Sequence, residues 1–171
     1  MFSRRCLPSS NQQWAHGICS TAQMRTAMDD ESVTAIEADI VMGNEIGNSV
    51  AVDSALLVPI MAHPPDRESD MSFRQFLIMS VRNRQLQKHL KLDFKGIEAV
   101  QPSLAILKTL ICDSNEKFVF LNADIVPGPG IRSSDITVPA TQFLDQCLRI
   151  VSSMKMVRMA AKLLSPITHH N

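Results

Sequence analysis

The sequence predicts an α/β fold with polar groups gathered at the C-terminal ends of parallel strands. Three observations carry this. Apolar runs of strand length alternate with stretches of helical spacing, the pattern of βα units. Residues 36–40, 90–95 and 120–125 each carry a polar pair two positions apart: Glu37 with Asp39, Asp93 with Lys95, and Asn122 with Asp124. Side chains alternate across a strand, so each pair shares one face. In the last of these runs Phe118 and Phe120 precede Asn122 and Asp124 on that face. Two aromatic fillers followed by two polar groups suit a barrel interior, packed at its base and chemical at its mouth.

The elements follow in order. Residues 1–12 are a polar lead-in, and 14–18 are a short strand candidate. Ser20 or Thr21 can cap a helix to about Met28, with Ala22, Met24, Ala27 and Met28 on its apolar side. A strand over 34–41 follows, then a polar, glycine-containing loop or hairpin over 43–53. The apolar run 56–62 ends at His63-Pro64-Pro65, where the prolines stop the strand and stiffen the turn. Ser72 caps a helix that extends to Lys88, its charged stretch 82–88 forming an exposed face. Residues 90–94 are a strand. Pro102 sits in the first turn of a helix through Cys112, with Leu104, Leu107 and Ile111 on one side. Residues 117–125 are a strand, which Pro127-Gly128-Pro129-Gly130 breaks. A last helix starts near Pro139 and continues through Leu164.

Composition excludes some partners. The chain of 171 residues has zero formal net charge, a pI near 7.0, 5% aromatic residues and no Tyr. There is neither a basic stripe nor a stacking surface for nucleic acid. No run approaches the ~20 apolar residues of a membrane span. The N-terminus starts basic but no apolar signal segment follows. Cys6, Cys19, Cys112 and Cys147 form no CxxC pair, so they read as free thiols rather than a zinc site. The ten Met residues read as soft core filler.

Glu37, Asp39 and Asp93 make three hard oxygen ligands, a set suited to Mg²⁺ or Ca²⁺ with water or phosphate completing the shell. Without a cation, such carboxylates repel and one pKa rises. Lys95 can offset charge or hold a phosphate oxygen. His16 and His63 end strands; on opposite sides of a phosphodiester, one serves as nucleophile or base and the other as general acid. Asn122 and Asp124 either hydrogen-bond the ligand residues or cap the following loop. His89, His169 and His170 have no supporting pattern and read as solvated.

The segments Trp14-Ala15-His16, Glu37-Ala38-Asp39, Met61-Ala62-His63-Pro64-Pro65, Lys91-Leu92-Asp93-Phe94-Lys95 and Leu121-Asn122-Ala123-Asp124-Ile125-Val126-Pro127-Gly128-Pro129 resemble the menorin family over about residues 13–147. That family is in turn similar to the TIM-barrel phosphodiesterases of the glycerophosphodiesterase and spider sphingomyelinase D type. The resemblance implies acid–base or nucleophilic roles for His16 and His63. It implies Mg²⁺ or Ca²⁺ on Glu37, Asp39 and Asp93, and a catalytic Lys95. It also implies an extracellular signalling or binding factor in neuronal patterning or maintenance, with cell-surface receptors or adhesion proteins as partners. The alternatives are a phosphodiesterase acting on lipid or glycerol phosphodiesters, a cytoplasmic location, and a truncated isoform without activity of its own. The Arg-Gly that follows the first His in glycerophosphodiesterases is replaced here by Gly17-Ile18.

A full (β/α)₈ barrel takes ~200–250 residues. The expected fold is therefore a partial (β/α)₈ TIM-type barrel, the N-terminal half only, over 13–147. A divergent helical C-terminus follows over 148–171. An open half-barrel leaves an unpaired edge and an exposed inner face, and predicts marginal stability for the isolated chain.

Overall fold

The described residues form nine strands and four helices. The computed structural model describes residues 12–47, 57–82, 85–111, 118–126, 138–155 and 157–163. The elements are β1 (Trp14–Ala15), α1 (Thr21–Asp29), β2 (Ala35–Glu45), β3 (Val58–Met61), β4 (Glu68–Ser69), α2 (Phe73–Ser80), β5 (Val81–Arg82), β6 (Gln85–Leu86), β7 (His89–Phe94), α3 (Ile97–Leu110), β8 (Val119–Val126), α4 (Ala140–Val151) and β9 (Val157–Leu163).

β1, β2, β7, β8 and β9 lie side by side in chain order, and every neighbouring pair is parallel. Strands added in one direction send their crossovers over the same face. The core agrees. Ile36, Ala38, Ile40, Leu90, Leu92, Phe94, Val119, Leu121 and Ala123 are buried in one cluster with the apolar sides of the helices. Phe94 meets Phe143 of α4 at 6.0 Å between ring centres. Fully burying such a side chain is worth ~1.5–3 kcal/mol. The alternate strand positions carry the polar residues on the opposite face.

Local chemistry sets the helix starts. Ser20 Oγ accepts from the Gln23 N–H at 3.2 Å, and Ser72 Oγ from the Gln75 N–H at 3.4 Å.

Several expectations are corrected. The strand expected to end before His63 is present as β3, but it lies outside the parallel order and turns back antiparallel along β2, with Ile40 opposite Met61. Of the loop or hairpin expected from residue 43, the antiparallel pairing of β2 with β3 favours the hairpin, but β2 itself continues to Glu45 and its last residues pair with β4. The helix expected to reach Lys88 stops at Ser80, whose hydroxyl donates to the Phe76 carbonyl at 2.8 Å. The stretch that follows is no exposed helix face. It forms the β5–β6 hairpin, buries Leu86, and buries Lys88 to 7% exposure.

Pro102 lies inside α3 rather than in its first turn, because the helix already starts at Ile97. An interior Pro costs ~3 kcal/mol. Burial of Ala99, Val100, Leu104 and Leu107 on both sides of it carries the helix through. The helix expected through Leu164 ends at Val151, and the tail supplies β9 instead, parallel to β8. The helical C-terminus is therefore a strand at its core, favoured because β8 offers an unpaired edge that only an extended segment can satisfy. The break at 127–130 and the C-terminal His169 and His170 lie outside the described residues.

Candidate functional site

The polar face is built by register. Glu37 of β2 stands opposite Lys91 of β7, and the next layer aligns Asp39, Asp93 and Asn122 across β2, β7 and β8. Parallel pairing without a slip brings residues more than fifty positions apart in sequence into contact. One residue of slippage would turn all of them into the apolar core.

His16 follows β1 directly. The chain turns at Gly17, whose φ of 63° suits a residue without Cβ, and the Ile18 N–H then donates to the Glu37 carbonyl at 3.2 Å. His16 Nδ1 meets Glu37 Oε2 at 2.5 Å, while the other oxygen of that carboxylate, Oε1, accepts from Lys91 Nζ at 2.6 Å. Glu37 thus has both oxygens engaged. Burial pushes its pKa up, but Lys91 and then His16 outweigh this, and the net shift is downward. Trp14 stacks near His16, with ring centres 6.3 Å apart.

Lys95 Nζ lies 3.2 Å from Asp39 Oδ1 and 3.0 Å from Asp93 Oδ2. Asn122 Nδ2 donates to the other oxygen of Asp93, Oδ1, at 2.8 Å. Burial is the main force on Asp39 and raises its pKa; the Asp93 charge adds to the rise, and Lys95 only partly offsets it. Burial disfavours the Lys95 ammonium, yet Asp93 and Asp39 outweigh that and raise its pKa.

His63 reaches the same end through the β3 return. The Ala62 N–H donates to the Asp39 carbonyl at 3.2 Å, so the next residue emerges beside Asp39, close enough for its charge to act on that carboxylate. His63 Nδ1 donates to the Pro64 carbonyl at 2.7 Å, which leaves Nε2 as the ring nitrogen outside that bond.

The structure therefore brings His16, Glu37, Asp39, His63, Asp93, Lys95 and Asn122 to one end of the sheet face. Asp124 shares that face but not the network: its Oδ1 is buried without a hydrogen-bond partner among the described residues. Lys91 is the residue that reading the strands one at a time misses. Its signal lay in the spacing: it is two positions before Asp93, hence on the same face.

His89 is half-buried rather than simply solvated. It stacks on Phe118 with ring centres 5.8 Å apart, lies 6.3 Å from Phe120, and its Nδ1 accepts the Phe118 N–H at 3.0 Å. The parallel register puts it next to those rings, at the base of the polar face. Cys19 and Cys147 are free thiols, and burial pushes Cys147 up to about 12. Cys6 and Cys112 lie outside the described residues.

Among the described residues no three His, Cys, Asp or Glu side chains gather at metal-ligand spacing. Lys91 holds Glu37, and Lys95 holds Asp39 and Asp93. The donor chemistry still suits a hard cation at Asp39 and Asp93. Two buried carboxylates share one ammonium, and Asp39 is left undercompensated.

The Menorin N-terminal domain model matches residues 9–156. The chain belongs to the menorin family. Every residue of the polar site falls within the matched span of this menorin-family chain. Human protein FAM151B is 33% identical to it over 132 residues, which are 77% of this chain and 43% of that relative. The menorin-family chain thus spans less than half the length of the curated relative it matches. No solved structure matches it. None of its described helices is long and apolar enough to cross a membrane.

Proposed function

We propose that the polar face is a divalent-cation site for a phosphodiester ligand, on a scaffold equivalent to the N-terminal half of a (β/α)₈ barrel. The carrying observation is the layer Asp39–Asp93–Asn122 with Lys95 between the carboxylates, and with His16 and His63 both arriving at the β2 edge, from β1 and from the β3 return. The sequential, all-parallel strand order supports the scaffold reading.

Each residue then has a task. Asp39 and Asp93 are the cation's ligands, and Asn122 fixes the Asp93 carboxylate in orientation. A bound Mg²⁺ or Ca²⁺ supplies charge stabilisation at phosphate oxygens. Lys95 supplies a second cation to the same oxygens. Glu37 holds His16 through Nδ1 and directs Nε2 at the ligand as nucleophile or base. His63, with Nδ1 tied to a carbonyl, presents Nε2 for proton transfer at the leaving oxygen.

Two measurements test this. Calorimetric titration of Mg²⁺ and Ca²⁺ into the protein shows binding heat that Asp39→Ala removes. Hydrolysis of a chromogenic phosphodiester is lost in His16→Ala. Equal rates in the two proteins would remove the catalytic reading and leave a binding site.

Family membership favours a second reading, an extracellular signalling or binding factor that uses this scaffold to engage cell-surface receptors or adhesion proteins. Its test is saturable binding of the purified protein to neuronal cell surfaces, with release of the tagged full-length gene product into medium. Absence of both, together with absence of hydrolysis, would leave a chain without activity of its own.

A further inference from the structure

We infer that Lys91 is a positioning residue that withholds Glu37 from the cation and commits it to His16, so that the cation site rests on Asp39 and Asp93. The inference rests on the cation reading proposed above and refines which carboxylates serve it.

The geometry carries it. A hard cation is held most strongly by carboxylates whose charge is not already balanced. Glu37 has an ammonium of its own, Lys91 Nζ at 2.6 Å from Oε1, besides His16 Nδ1 at 2.5 Å from Oε2, whereas Asp39 and Asp93 share the single ammonium of Lys95. The lysine is placed by the backbone, since Glu37 and Lys91 are register partners on adjacent parallel strands. Both side chains are largely sheltered, at 16% and 20% exposure, so solvent screens the pair weakly. His16 is the exposed member at 69%, bonded through Nδ1 and stacked near Trp14. Glu37 therefore acts as a two-sided clamp, anchored by an ammonium and steering an imidazole.

The clamp predicts a gain where a merely structural lysine predicts a loss. Removing the Lys91 charge frees a third carboxylate for the cation. Affinity for Mg²⁺ or Ca²⁺ then rises on the order of tenfold, because hard-cation affinity grows with the charge of the ligand set.

The test is calorimetric titration of Mg²⁺ and of Ca²⁺ into wild type, Lys91→Met, Lys91→Arg, Glu37→Gln and the double variant Lys91→Met/Glu37→Gln, with Asp39→Asn as control. Thermal unfolding first confirms that each variant folds; if Lys91→Met does not, Lys91→Gln carries the same comparison. Expected are about tenfold tighter binding in Lys91→Met and near wild-type binding in Lys91→Arg and Glu37→Gln, with the gain lost in the double variant. A second readout is the His16 ring ¹⁵N signal. It moves on cation addition in Lys91→Met, where Glu37 leaves the imidazole, and stays in wild type. Loss of binding in Glu37→Gln, or weaker binding in Lys91→Met, overturns the inference while Asp39-dependent binding in wild type keeps the cation site. No Asp39-dependent heat in either wild type or Lys91→Met overturns the cation site itself.

Discussion

Asp39 and Asp93 stand directly opposite each other on β2 and β7, with the ammonium of Lys95 between them, 3.2 Å from one carboxylate and 3.0 Å from the other. Two negative charges and one positive charge make this pair the least balanced part of the polar face. Lys95→Met leaves the two carboxylates facing each other uncompensated. Breaking a fully buried pair costs ~3–5 kcal/mol; these side chains keep some solvent, so a loss of about 2–3 kcal/mol is expected. Urea unfolding with and without millimolar Ca²⁺ checks it, and the cation restores part of the loss.

Asp39→Asn acts in the opposite direction on the metal-free protein. The neutral side chain fits the undercompensated position better than the charge does, so the unfolding midpoint at neutral pH rises while cation binding is lost. Added Ca²⁺ stabilises wild type, by about 2.7 kcal/mol at a hundredfold excess over Kd, and leaves the variant unmoved. Paired thermal scans decide this.

The acid side of the stability curve separates Glu37 from Asp39. Glu37 has a folded-state pKa below its ordinary 4.5, so it contributes stability above 4.5 that is lost as pH falls through the lowered value. Asp39 has a folded-state pKa above its ordinary 3.8, so its charged form costs stability above the raised value, and acid relieves that cost. Glu37→Gln should therefore flatten the loss of stability on acidification below 4.5, and Asp39→Asn should steepen it. Denaturation midpoints across the carboxylate range read both slopes.

Lys88 tests the hidden cation far from the site. Its ammonium donates to the Asp30 carbonyl at 2.7 Å and the Val33 carbonyl at 2.6 Å, closing the end of α1. Lys88→Met leaves those carbonyls short of a charged donor, for a loss of about 2–4 kcal/mol. Cation binding at the polar face should be unchanged in the folded variant, as titration will show.

Gly43 is a steric prediction. A Cβ there would lie 2.4 Å from the Arg67 carbonyl oxygen and 2.5 Å from Ile60 Cδ1. Backbone cannot yield as a flexible side-chain tip does, so Gly43→Ala should cost about 1–3 kcal/mol, measurable by equilibrium unfolding.

Much of the site was legible in the chain because strand alternation is a local rule. Glu37 with Asp39, and Asp93 with Lys95, share faces by spacing alone, and the Pro64-Pro65 turn marks where β3 must stop. Apart from the start of α3, the main misreadings concern what lies beside a segment. The stretch at Leu86 and Lys88 has helical composition, yet the core takes Leu86 in a hairpin and two carbonyls take the Lys88 ammonium. His89 carries no pattern of its own; its partners Phe118 and Phe120 arrive from the next strand. The segment of β9 is amphipathic enough for a helix, and the edge of β8 makes it a strand.

By itself, then, the sequence determined the α/β class, the Ser20 and Ser72 caps and which polar residues share a strand face, because these follow from spacing and from groups a few residues apart. Only the tertiary structure decided the pairing: Lys91 with Glu37, Lys95 between Asp39 and Asp93, and His63 returned to Asp39 by an antiparallel strand. The reason is physical. Charge compensation depends on register between strands far apart in the chain, and that register is set by burying the opposite, apolar face of the sheet.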